Sequence, residues 1–235
     1  MLSRPDDDDP RLGDVSEGRI LQAILSRTSR AAHALIGPGD DAAVLATPSG
    51  SVVATTDTLV HGPDFRLAWS TGYDLGWKAA AVNLADVAAM GARPTALLVA
   101  LAVPRDLRLS FVERLADGFR EACDALAPGC AVIGGDLTVS DVLTIAVTAL
   151  GDLEGRAPVT RSGARPGDVV AVAGELGLAA HGLAVLFGRF RDGDVPVPVD
   201  VTTLAPGRVR RCPHSCGPLL RSVSARWLRW PERPR

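Results

Sequence analysis

Between Asp14 and about Thr28 the apolar residues Ile20, Leu21, Ile24 and Leu25 recur with the spacing of one helical face. Asp14 followed by Glu17 has capping-box spacing, so the helix is predicted to open at Asp14. Short β-like runs at Ala43–Leu45 and Val52–Thr56 predict strands, and the alanine-rich stretch from Tyr73 to Met90 predicts a long helix stopped by Gly91 and Pro94. Leu97–Val103 reads as a strand ended by Pro104. Ser110 and Glu113 repeat the capping-box spacing and open a helix to about Leu126. Further strands are predicted at Ala131–Ile133, Leu143–Leu150 and Val169–Ala173. From about Gly188 the periodicity dissolves into Gly, Pro, Arg and Val, the composition of a linker or disordered tail.

Strands and helices in this mixed order, several of the strands long and apolar, predict an α/β or α+β fold: a mixed sheet flanked by helices. A chain of 235 residues that is 47% hydrophobic buries a substantial core. The N-terminus carries Asp6, Asp7, Asp8 and Asp9 where a targeting signal would be basic and then apolar, and no apolar run approaches the ~20 residues that span a bilayer. The expectation is a cytoplasmic chain with no membrane partner, its four cysteines reduced. The net charge of -2 conceals an asymmetry, because residues 201–235 hold eight arginines against the single acid Glu232. An acidic body argues against nucleic acid as a partner. Arginines number 24 against one lysine, Lys78, which is either a helix-surface residue or a phosphate contact.

Five polar constellations interrupt this pattern. Gly37-Pro38-Gly39-Asp40-Asp41 is a tight turn delivering two carboxylates, as turn formers or as ligands. Thr55-Thr56-Asp57-Thr58 gathers hard oxygens at a predicted strand end, which suits Mg²⁺ or a plain polar terminus. Asn83 and Asp86 share a predicted helix face with Met90, and an acid in so apolar a helix needs a salt bridge or a metal. Ile133-Gly134-Gly135-Asp136 is an apolar run leading into two glycines and an acid, where a backbone or a phosphate approaches closely, or a β-turn forms. Arg161, in Thr160-Arg161-Ser162-Gly163, is either a bidentate phosphate clamp or a solvated arginine. Jointly they describe polyphosphate held through metal ions. No G-x-x-x-x-G-K-[ST] loop and no protein-kinase catalytic loop is present. Cys212-Pro213-His214-Ser215-Cys216 offers three ligands at most and is a poor zinc site.

The strings IGPGDDAAVL, TTDTLVHGPDF, GWKAAAVNLADVAAMGARP, IGGD and VTRSGARPGD, in this order over residues 14–190, resemble thiamine-monophosphate kinase. The resemblance implies the aminoimidazole ribonucleotide synthetase-like fold, shared with selenophosphate synthetase and a hydrogenase maturation protein. It also implies homodimerisation, in which the N-terminal strands of two copies form a barrel. The activity implied is transfer of the ATP γ-phosphoryl group to thiamine monophosphate, with ATP as co-substrate and Mg²⁺ as cofactor. Asp40, Asp57, Asp86 and Asp136, with Thr55 and Thr56, match the family's metal-binding positions. Gly135, Asp136 and Arg161 match nucleotide contacts, and Asp64 a substrate contact that is often histidine in relatives. No protein nucleophile is implied, because the acceptor phosphate attacks directly.

The same resemblance divides the chain into a disordered leader (1–13), an N-terminal ATP- and Mg-binding, dimerising domain (14–155), the start of a C-terminal domain (156–190) and an atypical tail (191–235). The second domain is then incomplete, because the family's I-D-x-S-D-G motif is absent; a frameshift or shortened gene would give such an ending. Two alternatives stand beside the kinase: an inactive nucleotide-binding, dimerising fragment, and a sister ATP-dependent synthetase.

Overall fold

The computed structural model describes residues 9–38, 44–172 and 176–199. Its helices are α1 (Glu17–Leu25), α2 (Gly72–Ala89), α3 (Leu109–Leu126) and α4 (Leu178–Arg189). Its strands are β1 (Ala34–Ile36), β2 (Val44–Leu45), β3 (Val53–Val60), β4 (Arg93–Val103), β5 (Ala131–Val139), β6 (Thr144–Asp152), β7 (Arg191–Asp192) and β8 (Val195–Pro196). The centre is a four-stranded sheet in the order β3-β6-β4-β5, mixed because β4 runs parallel to β5 and antiparallel to β6. The parallel pair needs a crossover, and α3 supplies it. β1 with β2 and β7 with β8 form separate two-stranded pairs.

Residue alternation along β6 shows how the sheet is used. Ile145, Val147 and Ala149 are fully buried beneath α2, whereas Ala146, Thr148 and Leu150 on the other face are only half covered. One face therefore carries α2 and α3. The opposite face lines a groove of about 910 Å³ with Leu98, Ala100, Gly134 and Asp136, and this groove passes round the β5 edge to α1 and α3.

The two long helices approach until their backbones touch. A Cβ added at Gly76 would meet the Leu115 carbonyl oxygen at 2.0 Å, and one at Gly118 would meet that of Tyr73 at 2.2 Å. Only glycine fits at either position. α2 ends where the sequence predicts: Gly91 takes φ 75°, its N–H bonds to Ala88 O and that of Ala92 to Val87 O, a Schellman closure.

Several expectations are corrected. The first cap is Ser16, whose hydroxyl accepts from the Arg19 N–H, because Asp14 is spent in a 3₁₀ turn over Leu12–Asp14. α2 opens at Thr71, which forms a reciprocal capping box with Asp74 that the alanine pattern hides. Ser110 lies inside α3 and caps nothing; its N–H and hydroxyl both donate to Asp9, at 2.9 and 2.7 Å. The leader is accordingly placed from Asp9 onward, with Leu12 buried. β3 and β5 run past their predicted ends to Val60 and Val139, and Pro94 lies near the start of β4. Up to Val172, where the described residues break off, the segment predicted at Val169–Ala173 forms no strand: Val169 and Val170 are 92% and 95% exposed, without a neighbouring strand to pair with. After Gly188 the chain continues to the end of α4 and forms the β7–β8 hairpin, with Phe190 buried. The Cys212–Cys216 segment lies outside the described residues. No helix among the described residues is long and apolar enough to cross a membrane.

Candidate functional site

β3 is an edge strand, so the residues on its helix-facing side stay partly open beside α2. Its register against β6 pairs Thr55 with Ala149 and Asp57 with Val147, both partners buried beneath α2, which puts Thr55 and Asp57 on the helix side. Asp86 projects from α2 towards the same strip and accepts a hydrogen bond from Thr55 Oγ1 at 3.4 Å. The acid expected to need a salt bridge or metal thus has a hydroxyl partner. Asn83 departs from it: 1% exposed, it turns inward and donates from Nδ2 to Ala79 O at 2.9 Å, leaving Oδ1 unpartnered.

At the other end of the strip, residues 61–65 fold back on β3. Asp64 Oδ2 accepts from the Val60 N–H at 2.7 Å, and the Asp64 N–H donates to Val60 O at 3.0 Å. Lys78 reaches this turn from α2, donating from Nζ to Asp64 O at 3.2 Å. Burial pushes its ammonium below the ordinary lysine pKa, and the Asp64 charge pulls it partly back. Lys78 and Asp86 stand eight residues apart on α2, about 12 Å at the helical rise.

The loop bearing Arg161 is fixed at the C-terminal end of α2, where the Val159 N–H donates to Met90 O at 3.0 Å. Arg161 itself is exposed, in the 3₁₀ turn Arg161–Gly163. The resulting strip runs from Arg161 past Asp86, Thr55 and Asp57 to Lys78 and Asp64. Chemically it presents carboxylate and hydroxyl oxygens in the middle and a cation near either end, a distribution suited to a bound polyphosphate.

Not every predicted residue joins it. Thr56 faces the open side of the sheet, where its hydroxyl donates to Val147 O and accepts from Thr148 Oγ1 at 3.2 Å. Asp136, on the opposite edge strand β5, also faces that side, where it pairs with Ala100 of β4. Three strand spacings separate it from β3, about 14 Å. Among the described residues, no three His, Cys, Asp or Glu side chains converge closely enough to hold a metal ion. Asp40 lies outside the described residues. Gly135 sits within β5, where an added Cβ would meet Val99 O at 1.9 Å; what approaches this glycine is the backbone of β4, and the segment is neither a strand end nor a turn. Lys78, read from the sequence as a helix-surface residue or a phosphate contact, meets the Asp64 carbonyl, a partner that its only signal, rarity, did not indicate.

The family described as AIR synthase related protein, N-terminal domain, matches residues 39–153. The thiamine-monophosphate kinase of Mycobacterium tuberculosis is 43% identical over 183 residues, covering 78% of this chain and 54% of that protein. The thiamine-monophosphate kinase of Corynebacterium glutamicum is 43% identical over 200 residues, covering 83% of this chain and 58% of that protein. The solved structure of AaThiL complexed with AMPPCP and TMP superposes with a TM-score of 0.56 at 35% identity, covering 78% of this chain and 56% of that one. The chain spans about half the length of the curated relatives it matches.

Proposed function

Since the chain belongs, through its N-terminal domain, to the AIR synthase related family, we propose that it binds Mg²⁺ and ATP and acts in the phosphorylation of thiamine monophosphate to thiamine diphosphate. The observation that carries this reading is the β3–α2 strip, in which Thr55, Asp57 and Asp86 lie together in a chain 43% identical to thiamine-monophosphate kinases. AMPPCP and TMP in the AaThiL complex support the same pair of substrates.

The donor set fits the metal. Asp57 and Asp86 with the Thr55 hydroxyl offer a few hard oxygens, and Mg²⁺ commonly completes its shell from water and phosphate. When bound, the ion neutralises charge on the phosphates. The chain's own residues then align the reactants. The Thr55 hydroxyl orients Asp86, the Arg161 guanidinium clamps phosphate oxygens at the C-terminal end of α2, and Asp64 positions the acceptor at the far end of the strip. With the acceptor phosphate as nucleophile, no side chain needs to form a covalent intermediate.

We assign Thr56 and Asp136 to the open sheet face, Gly135 being turned the other way, and propose that a second copy covers it. Exposed Ala100 and half-buried Ala146 and Thr148 leave the groove on that face open to a partner. Asp40 stays in the proposed metal set by resemblance alone.

One preparation tests both statements. The 24.5 kDa chain should sediment at twice its mass and release ADP from ATP only when Mg²⁺ and thiamine monophosphate are both present. ADP release indifferent to thiamine monophosphate would overturn the substrate assignment, and a monomeric species would overturn the pairing. ATP binding without turnover would favour the inactive-fragment reading.

A further inference from the structure

We infer that Lys78 is a positioning residue for the phosphate acceptor, tethering the Asp64 turn to α2 through the Asp64 carbonyl. The inference rests on the proposed thiamine monophosphate reading for its ligand, but its geometry does not. Residues 61–65 are held on the sheet side: the Asp64 carboxylate and N–H both bond to Val60, the His61 N–H donates to Leu143 O at 2.9 Å, and the Gly62 N–H donates to Phe65 O at 3.0 Å. Those bonds tie the turn to itself and to the sheet, and none of them reaches α2. The bond from Lys78 Nζ to Asp64 O, 3.2 Å and fourteen positions along the chain, links the turn directly to α2. Phe65 adds an apolar anchor, 6% exposed.

The residue type suits that task. Lysine presents a compact point charge on a thin stem, which fits end-on against one carbonyl in the narrow gap between helix and turn. A planar guanidinium needs more width and seeks paired acceptors. In a chain whose other 24 side-chain cations are arginines, this position carries the single lysine. Partial burial fits a tether better than a freely solvated side chain, since ordering a lysine costs rotamer freedom that a contact must offset. The metal-binding oxygens lie about 12 Å along α2, so loss of the tether should disturb the acceptor end and spare the nucleotide end.

The test compares the full chain with Lys78→Met and Lys78→Arg. Calorimetric titrations measure thiamine monophosphate and Mg·ATP separately, and hydrogen exchange follows the amides of Val60, Gly62 and Asp64. Lys78→Met should weaken thiamine monophosphate about 10-fold, leave Mg·ATP within about two-fold, and speed exchange at those three amides. Lys78→Arg should fall between Met and wild type, because charge is kept and geometry is not. Equal weakening of both ligands, or unchanged exchange, overturns the tether. A wild-type chain that binds no thiamine monophosphate defeats the substrate reading instead, and exchange alone then decides whether Lys78 holds the turn.

Discussion

Asp9 accepts two hydrogen bonds from Ser110 in the first turn of α3, where backbone N–H groups lack helical partners and the dipole favours an anion. The Ser110 hydroxyl, then its N–H, hold the Asp9 carboxyl below its ordinary pKa, with a smaller contribution from the Arg108 charge. A lowered folded-state pKa gives stability that is fully present above the unfolded value of about 3.9 and is lost as pH falls through the folded value. Asp9→Asn should therefore lower the urea midpoint slightly at pH 7, a small effect because solvent screens a charge this exposed. The gap from wild type should close as pH falls through the folded-state value. A gap that persists unchanged in acid would show that the charge is not what stabilises the helix start. Sequence composition hid this residue, since the run Asp6–Asp9 reads as a solvated acidic leader and its partner lies 101 positions away. Thr55, Asp57 and Asp86 were legible one by one, as oxygens in otherwise apolar elements. That Asn83 turns inward and Asp86 outward was not, because three residues on a helix span about 300° and either side chain could have faced the core.

The α2–α3 contact is built on glycines that no local pattern explains. Gly72 and Gly76 face Phe111 and Leu115, and Gly118 faces Tyr73, with carbonyl oxygens standing where a Cβ would be. Gly76→Ala forces the helices apart and should destabilise the fold by about 1–3 kcal/mol in a denaturant titration. Gly18→Ala in α1 meets nothing within 4 Å and should be neutral or slightly stabilising. Equal effects at the two positions would contradict the close packing. The existence of α2, α3, β4 and β6 follows from sequence periodicity, and their ends move by only a few residues in the structure. β5 was read short because Gly134 and Gly135 resemble the end of a strand. They continue it, since β4 comes so close that a side chain at Gly135 has no room. The missing strand at Val169–Val172 fails for the converse reason: an apolar run has the propensity, but a strand also needs a neighbour.

At the scale of the molecule, the sheet sorts the oxygens and glycines into two surfaces. The strip along β3 and α2 holds Thr55, Asp57, Asp86, Lys78 and Asp64, while Thr56 and Asp136 look out from the uncovered face. Sequence spacing could not foresee that separation, because adjacent threonines on a strand point to opposite sides and the order β3-β6-β4-β5 puts β3 and β5 at opposite edges. Thr55 and Thr56 are the plainest instance: neighbours in the chain, they serve different faces. The central claim is that the β3–α2 strip holds the metal-bound phosphates. The direct test is calorimetric titration of ATP, with and without Mg²⁺, into the wild-type chain and Asp57→Asn, with thermal unfolding of both as a check on folding. The account predicts binding that requires Mg²⁺ and weakens at least about 10-fold in Asp57→Asn, a loss of about 1.4 kcal/mol, with the melting transition unchanged because Asp57 is exposed. Wild-type affinity retained by Asp57→Asn would contradict it.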